Sequence, residues 1–164
     1  GGEFGNAEDW YKQGIEMSFQ ENGVSSSVDA YMNSGKTPIK HEVSGKYPCS
    51  FAAPCTTTVK FEGNTEQKLE KIATQKWLAL YPNGIEAWAE CRRTGYPKLS
   101  PVLHSEDANI NPANHEFIRK LRYTDDERRE NSENATSSAL NQNQGDGSTV
   151  HVWWDTNRQQ EVQQ

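Results

Sequence analysis

The chain has 164 residues, with 17 Lys and Arg against 23 Asp and Glu and a net charge of -6; with no overall basic footprint and no dense Lys/Arg run, nucleic acid is not an expected partner. Leu, Ile, Val and Phe make up only about 16% of the residues, under the usual share of a packed domain, yet 5 Trp and 6 Tyr argue against a fully solvated coil because each ring buries a large area on folding. No apolar stretch is long enough to span a bilayer and no charged-then-apolar leader stands at the start, where Gly1-Gly2-Glu3-Phe4 reads as a cleaved tag or an excised fragment, so that signals upstream of it are not to be read from this sequence.

These numbers predict a mainly α, irregular and loop-rich helical domain, occupying 1–164 as a single domain or fragment. Asn6 with Asp9 three residues on, then Tyr11, Ile15 and Phe19, predict a first amphipathic helix stopped by Asn22-Gly23. A short second helix follows Ser25-Ser26-Ser27 and carries Val28, Tyr31 and Met32. Residues 32–63 lose the helical period and form a long loop, with a short strand at Thr57-Thr58-Val59-Lys60-Phe61; loops of this length are usually functional or only partly ordered.

The next helix carries the clearest signal. Asn64 and Gln67 make a capping-box pattern, and Leu69, Ile72, Ala73, Lys76, Trp77 and Leu80 keep the three-and-four spacing up to Tyr81-Pro82-Asn83-Gly84. Another helix then places Ile85, Trp88, Ala89 and Arg92 on one side and ends at Thr94-Gly95-Tyr96-Pro97; so short a turn predicts a packed helical hairpin with Trp77 and Trp88 inside it. Thr124 and Glu127 cap a later helix start, and residues 131–148 form a second long loop before the apolar cluster Val150-His151-Val152-Trp153-Trp154.

Catalytic patterns are weak. Asp125, Asp126, Glu127 and Glu130 supply the paired carboxylates that glycosidase chemistry needs, but their place in a first helical turn is already explained by capping and the helix dipole. His104-Ser105-Glu106 matches the start of a zinc deaminase motif without its downstream cysteine pair. Asp107-Ala108-Asn109-Ile110-Asn111 imitates the first ligands of a calcium loop, while Pro112 and Ile118 stand where glycine and a bidentate glutamate are required, so calcium is a minor alternative to a solvated turn. Cys49 and Cys55 are spaced either to close one small disulfide loop or to stand as two thiols; Cys91 reads as a core residue. Aromatic residues offer a different chemistry, because sugar rings stack their C–H faces on indoles and phenols. Trp10, Trp77 and Trp88 fall at core spacing, whereas Tyr96, Trp153 and Trp154 adjoin loops and are the candidate ligand-binding residues.

The run from Lys71 to Pro97, with Gln75-Lys76-Trp77, Asn83-Gly84-Ile85-Glu86-Ala87-Trp88 and Arg92-Arg93-Thr94-Gly95-Tyr96-Pro97, resembles the signature of the SusD/RagB-like lipoproteins. Tyr11, Gly14-Ile15 and Ser18-Phe19, then Arg122-Tyr123 with Glu127 and Asn131, and finally Val152-Trp153-Trp154-Asp155 resemble further family segments in the same order. Cys91 departs from the usual bulky residue, and Thr124 from a common proline. The resemblance implies the C-terminal part of a SusD-like helical-repeat fold. It also implies an outer-membrane, surface-exposed protein, lipid-anchored in its full-length form, that captures glycans or other nutrients without catalysis and hands them to a SusC-like TonB-dependent transporter. No binding residue carries over by motif, and Arg92 through Pro97 are implied to be scaffold, with Arg92 or Arg93 in an internal ion pair. A structural fragment without ligand affinity of its own is the alternative, and a carbohydrate-active enzyme a more distant one.

Overall fold

Short polar side chains open the helices, as the sequence predicts. Asn6 Oδ1 accepts from Glu8 N ahead of α1 (Ala7–Glu21), and Ser27 Oγ accepts from Ala30 N ahead of α2 (Val28–Met32). A full capping box joins Asn64 and Gln67 at the start of α3 (Thr65–Ala79), and Asn83 Oδ1 accepts from Glu86 N at the start of α4 (Gly84–Thr94). Each of these oxygens satisfies a backbone N–H that the first helical turn leaves without a partner. In the computed structural model, residues 5–46, 48–100, 102–106, 110–111, 117–137 and 147–155 are described. They divide into two units, Gly1–His41 with Phe51–Leu99, and Glu42–Ser50 with Ser100–Gln164.

The first unit holds α1 to α4, with α1 packed on both α2 and α3, and α3 packed on α4. Its core is made of aromatic and polar ties as much as of aliphatic mass. Tyr11 is buried, stacks at 4.8 Å on Phe61, and its phenol donates to Val59 O at 2.7 Å. Burial, and then the neighbouring Tyr31, push that phenol's pKa upward, so it stays a donor. Phe19 meets Tyr31 at 5.2 Å, and Tyr31 OH donates to Gln75 Oε1 at 3.0 Å, tying α2 to α3. Lys71 is only 5% exposed; its Nζ donates to Thr58 O at 2.8 Å and to Thr58 Oγ1 at 3.0 Å.

Those last ties explain a difference from the sequence reading. Residues 57–61 do not form a strand, because side chains from α3 and α1 take the carbonyls of Thr58 and Val59 that a neighbouring strand would have taken. The long segment 32–63 instead contains a two-stranded sheet, β1 (His41–Val43) with β2 (Cys49–Phe51); the short connection makes it a hairpin. Cys49 belongs to β2 and Cys55 is buried in the first unit, and neither carries a disulfide in this structure, the second of the two readings that their spacing leaves open.

The expected α3–α4 hairpin is present, with a different interior. Cys91 is fully buried and lies 3.6 Å from Pro97 O, accompanied by Ala73 and Ala87. Trp77 and Trp88 are half-buried, and Ile85 is 76% exposed. The buried apolar residues of these two helices are small ones rather than the indoles, and the guanidinium of Arg92 covers the Trp88 ring at 3.5 Å. Trp10 also stands outside the core, at 61% exposure. The helix ends at Gly95, whose φ of 76° places it in the left-handed region where a side chain is strained, and Gly95 N donates to Cys91 O at 2.8 Å. Between α3 and α4, the buried carboxylate of Glu90 accepts from Arg93 at 2.5 and 3.0 Å and lies 3.2 Å from Lys76 Nζ. Arg93, one of the two arginines named for an internal ion pair, makes one with Glu90.

In the second unit, α5 (Asp125–Glu130) is capped by Thr124 Oγ1, which accepts from Glu127 N, and α6 (Ser132–Ala135) adds one turn. Residues 131–137 are therefore partly helical, and 138–146 lie outside the described residues. Six helices against two three-residue strands among the described residues make the chain mainly α and loop-rich.

Glu90 gives a pH signature. The hydrogen bond from Arg93 first, and then Lys76, hold its carboxyl below its ordinary 4.5 against an opposing effect of burial. A depressed folded pKa stabilises the fold fully above the unfolded value and loses that contribution as pH falls through the folded one. Glu90→Gln is expected to cost about 1.5–3 kcal/mol at pH 7, the scale of hydrogen bonds to a charged group. The gap from the parent closes as pH drops below about 4.5 in urea melts taken across pH. A gap that widens in acid would reverse the assignment.

Candidate functional site

The candidate tryptophans sit on one turn of the second unit, held by its own backbone and by a partner far back in the sequence. Asp155 N donates to Val152 O at 2.9 Å, closing a turn with Trp153 and Trp154 at its corners. Asp155 itself is 3% exposed, and both its carboxylate oxygens accept from Arg119 Nη1, at 2.9 and 2.7 Å. His151 Nδ1 lies 3.1 Å from Asp155 O and 3.3 Å from Asp155 Oδ1. Upstream, Arg119 N and Lys120 N both donate to the carbonyl of the buried Ser148, at 2.8 and 3.1 Å. Backbone and ion pair together fasten the segment before the turn and the residue that ends it.

On this anchored turn, Trp153 is 78% exposed and Trp154 half-buried. An exposed indole on a fixed backbone presents a flat apolar face with little ordering left to do, which is the property a sugar-stacking platform needs. Tyr96 belongs to the first unit and has a different character. Its phenol donates to Glu66 Oε1 at 2.9 Å, its N donates to Thr94 Oγ1 at 3.1 Å, and the same hydroxyl lies 3.0 Å from its O. Tyr96 is tied into the end of α4, and the tryptophans share one turn; these are two separate places in the chain.

The remaining chemical candidates are accounted for locally. Asp125 pairs with Arg128 at 3.3 Å, Asp126 with Arg129 at 2.9 Å, and Glu130 with Arg129 at 2.9 Å, while Glu127 accepts from Asn131 at 2.7 Å. The acids are thus spent on capping and on neighbouring arginines along an exposed helix. His104 and Glu106 are exposed on irregular chain. Of the calcium-like segment, Asp107, Ala108, Asn109 and Pro112 lie outside the described residues, and Ile110 is buried. Among the described residues no group of His, Cys, Asp and Glu converges as a metal site, and no helix is long and apolar enough to cross a membrane.

Sequence reasoning did not single out Arg119, Ser148 or Lys71. A lone arginine between Ile118 and Lys120 carries no spacing signal, and a carbonyl acceptor such as that of Ser148 has none at all. Asp155 was visible only as the last letter of a motif.

The family model for the SusD-like group, described as SusD and RagB outer membrane lipoprotein, matches residues 2–155. The chain belongs to the SusD-like family. A SusD homologue of known structure from Bacteroides ovatus is 39% identical, with a TM-score of 0.79 over 93% of this chain and 33% of its own. A chitin-binding SusD homologue from Flavobacterium johnsoniae is 33% identical, with a TM-score of 0.78 over 95% of this chain and 33% of its own. A third, from Bacteroides thetaiotaomicron, is 36% identical with a TM-score of 0.73 over 94% of this chain and 34% of its own. The chain therefore spans about a third of the length of these SusD-like structures. Comparison with curated proteins returns no match.

The anchor gives a direct stability test. Asp155→Asn removes the carboxylate charge that faces the buried Arg119 guanidinium, which is expected to cost about 3–5 kcal/mol in urea denaturation, the cost of breaking a buried ion pair. Trp153→Ala, at an exposed corner, is expected to stay within about 0.5 kcal/mol. Equal costs for the two would contradict the division between anchor and exposed face.

Proposed function

We propose that this SusD-like chain is a non-catalytic, glycan-binding component of an outer-membrane uptake complex, and that Trp153 is its stacking residue with Trp154 beside it. The reading is carried by one observation: an exposed indole on a turn fastened by the buried Arg119–Asp155 pair. It is supported by the family membership and by the chitin-binding homologue at 33% identity. A stacking platform gains from apolar contact with the ring face while the ligand's hydroxyls stay partly hydrated, so it needs neither a deep cavity nor a general acid. The pairing of Asp125, Asp126 and Glu130 with arginines agrees with a binding role rather than hydrolysis. Lipid anchoring at the cell surface and delivery to a TonB-dependent transporter complete the proposed role.

Chito-oligosaccharides are the first probe, taken with a glycan array and isothermal titration. Trp153→Ala is expected to lower glycan affinity by about two- to tenfold, the loss of one good aromatic contact, while the melting temperature stays within about 2 °C. Affinity unchanged in the folded variant would remove Trp153 from the site. Reducing-sugar release that disappears in the Asp125→Ala/Asp126→Ala/Glu127→Ala variant would replace binding with catalysis.

A further inference from the structure

The first unit holds a recess of about 460 Å³ where α2, the chain just after it, residues 57–59 and α3 come together. That volume is in the range of small-molecule sites. Tyr31, Val59 and Leu78 give its wall apolar area, and hydroxyl-bearing and cationic side chains supply the rest. None of its lining residues is an aspartate or a glutamate, although the whole chain carries a charge of -6. Glu62, whose charge reaches Lys71, is held by Lys60 at 2.9 Å.

Hydrogen-bond donors are in surplus on this wall. Lys71 is 5% exposed and its ammonium has three N–H donors; Thr58 takes two of them, and no acceptor among the described residues takes the third. Gln75 Oε1 accepts from Tyr31 OH, which leaves the amide nitrogen of Gln75 without an acceptor among the described residues. Lys36, on exposed chain in the same wall, makes no ion pair among them either. A covered donor with no acceptor is costly, so the recess favours a ligand rich in acceptors and negatively charged. Phosphate would use the charge and leave the apolar area idle. A neutral sugar would use the apolar area and the hydroxyls but not the two ammonium groups.

We infer that this recess is a binding site for a carboxylate-bearing sugar, a uronic acid, with Lys71, Gln75 and Lys36 as donors to it and Tyr31, Val59 and Leu78 against its ring. The site lies wholly in the first unit and makes no use of Trp153.

The test is an NMR titration of the isotope-labelled 164-residue chain with galacturonate, with galactose as its neutral counterpart, and with inorganic phosphate. Galacturonate is expected to shift the Gln75 side-chain amide, the Lys71 Cε–H signals and the backbone of residues 57–59. It is expected to bind at least about tenfold more tightly than either of the others, the gain of a charge-assisted contact over a neutral one and of a ring contact over none. Lys36→Glu, on exposed chain, and Gln75→Glu, which keeps an acceptor for Tyr31 OH, each put a negative charge into the wall. Both are expected to weaken galacturonate at least about tenfold, with Lys36→Glu holding its melting temperature within about 2 °C. Galactose or phosphate bound as tightly as galacturonate, galacturonate shifts that are absent or fall on other residues, or an unchanged affinity in folded Lys36→Glu each overturns the inference. Trp153→Ala is expected to leave galacturonate affinity unchanged, and a loss there would also overturn it. The role of Trp153 rests on chito-oligosaccharide binding instead, so this inference and the proposed function fail separately.

Discussion

The buried ammonium of Lys71 sets the terms on which the first unit is built. A charge at 5% exposure is tolerated only when its donors are used, and here they go to the carbonyl and hydroxyl of Thr58. That commitment holds the irregular chain before α3 against the helix. Tyr11 repeats the arrangement one residue later, using its phenol on Val59 O and its ring on Phe61. Side chains from two helices thus supply the hydrogen bonds that a sheet would have supplied, and a segment without regular structure becomes part of a core. This is how a chain poor in Leu, Ile, Val and Phe can still pack: directed polar ties and aromatic contacts stand in for aliphatic volume.

The same chemistry marks where the sequence was legible. Helix starts were readable because capping is local, needing only a short oxygen-bearing side chain and the backbone N–H groups two or three residues on; Asn64 with Gln67 is the clearest case. The α3–α4 hairpin was readable because its connection is short. Which residues would be buried was legible only in part: Cys91 was readable as a core residue, whereas the face through Ile85, Trp88, Ala89 and Arg92 was not the buried one throughout, and Ile85 is left 76% exposed. Lys71 and Arg119 were invisible for a related reason: polar residues in an apolar pattern read as surface until their partners are known. For the candidate site, Trp153 and Trp154 were legible as loop-adjacent aromatics, but the pair that fixes their turn joins positions 36 residues apart, and no local pattern encodes such a pair.

Two buried carboxylates in this chain do different work. Glu90 is covered, but its partners Lys76 and Arg93 are about half exposed and reach it from α3 and from its own helix. Such an arrangement retains partial solvation of the cations and gives a modest, pH-dependent contribution. Asp155 and Arg119 are both taken from water, so their attraction must first offset two desolvation costs, and the pair is expensive mainly to break. The benefit of such a pair is specificity of position rather than net stability. That suits its place at the end of the Trp153–Trp154 turn, where an error of register would turn both indoles.

The exposed tryptophans therefore have distinct physical meanings. Trp10 shares a groove with Ile72, Leu78 and a glycine whose missing side chain nothing in its own unit requires. Water against that surface is costly in proportion to its apolar area. Trp153 stands at the corner of a short turn, with its ring largely open to solvent. An exposed ring cannot fix its own orientation, because nothing packs on its outer face. The rigidity must come from the backbone beneath it, and in this chain it comes from a carboxylate two residues further on, held by an arginine.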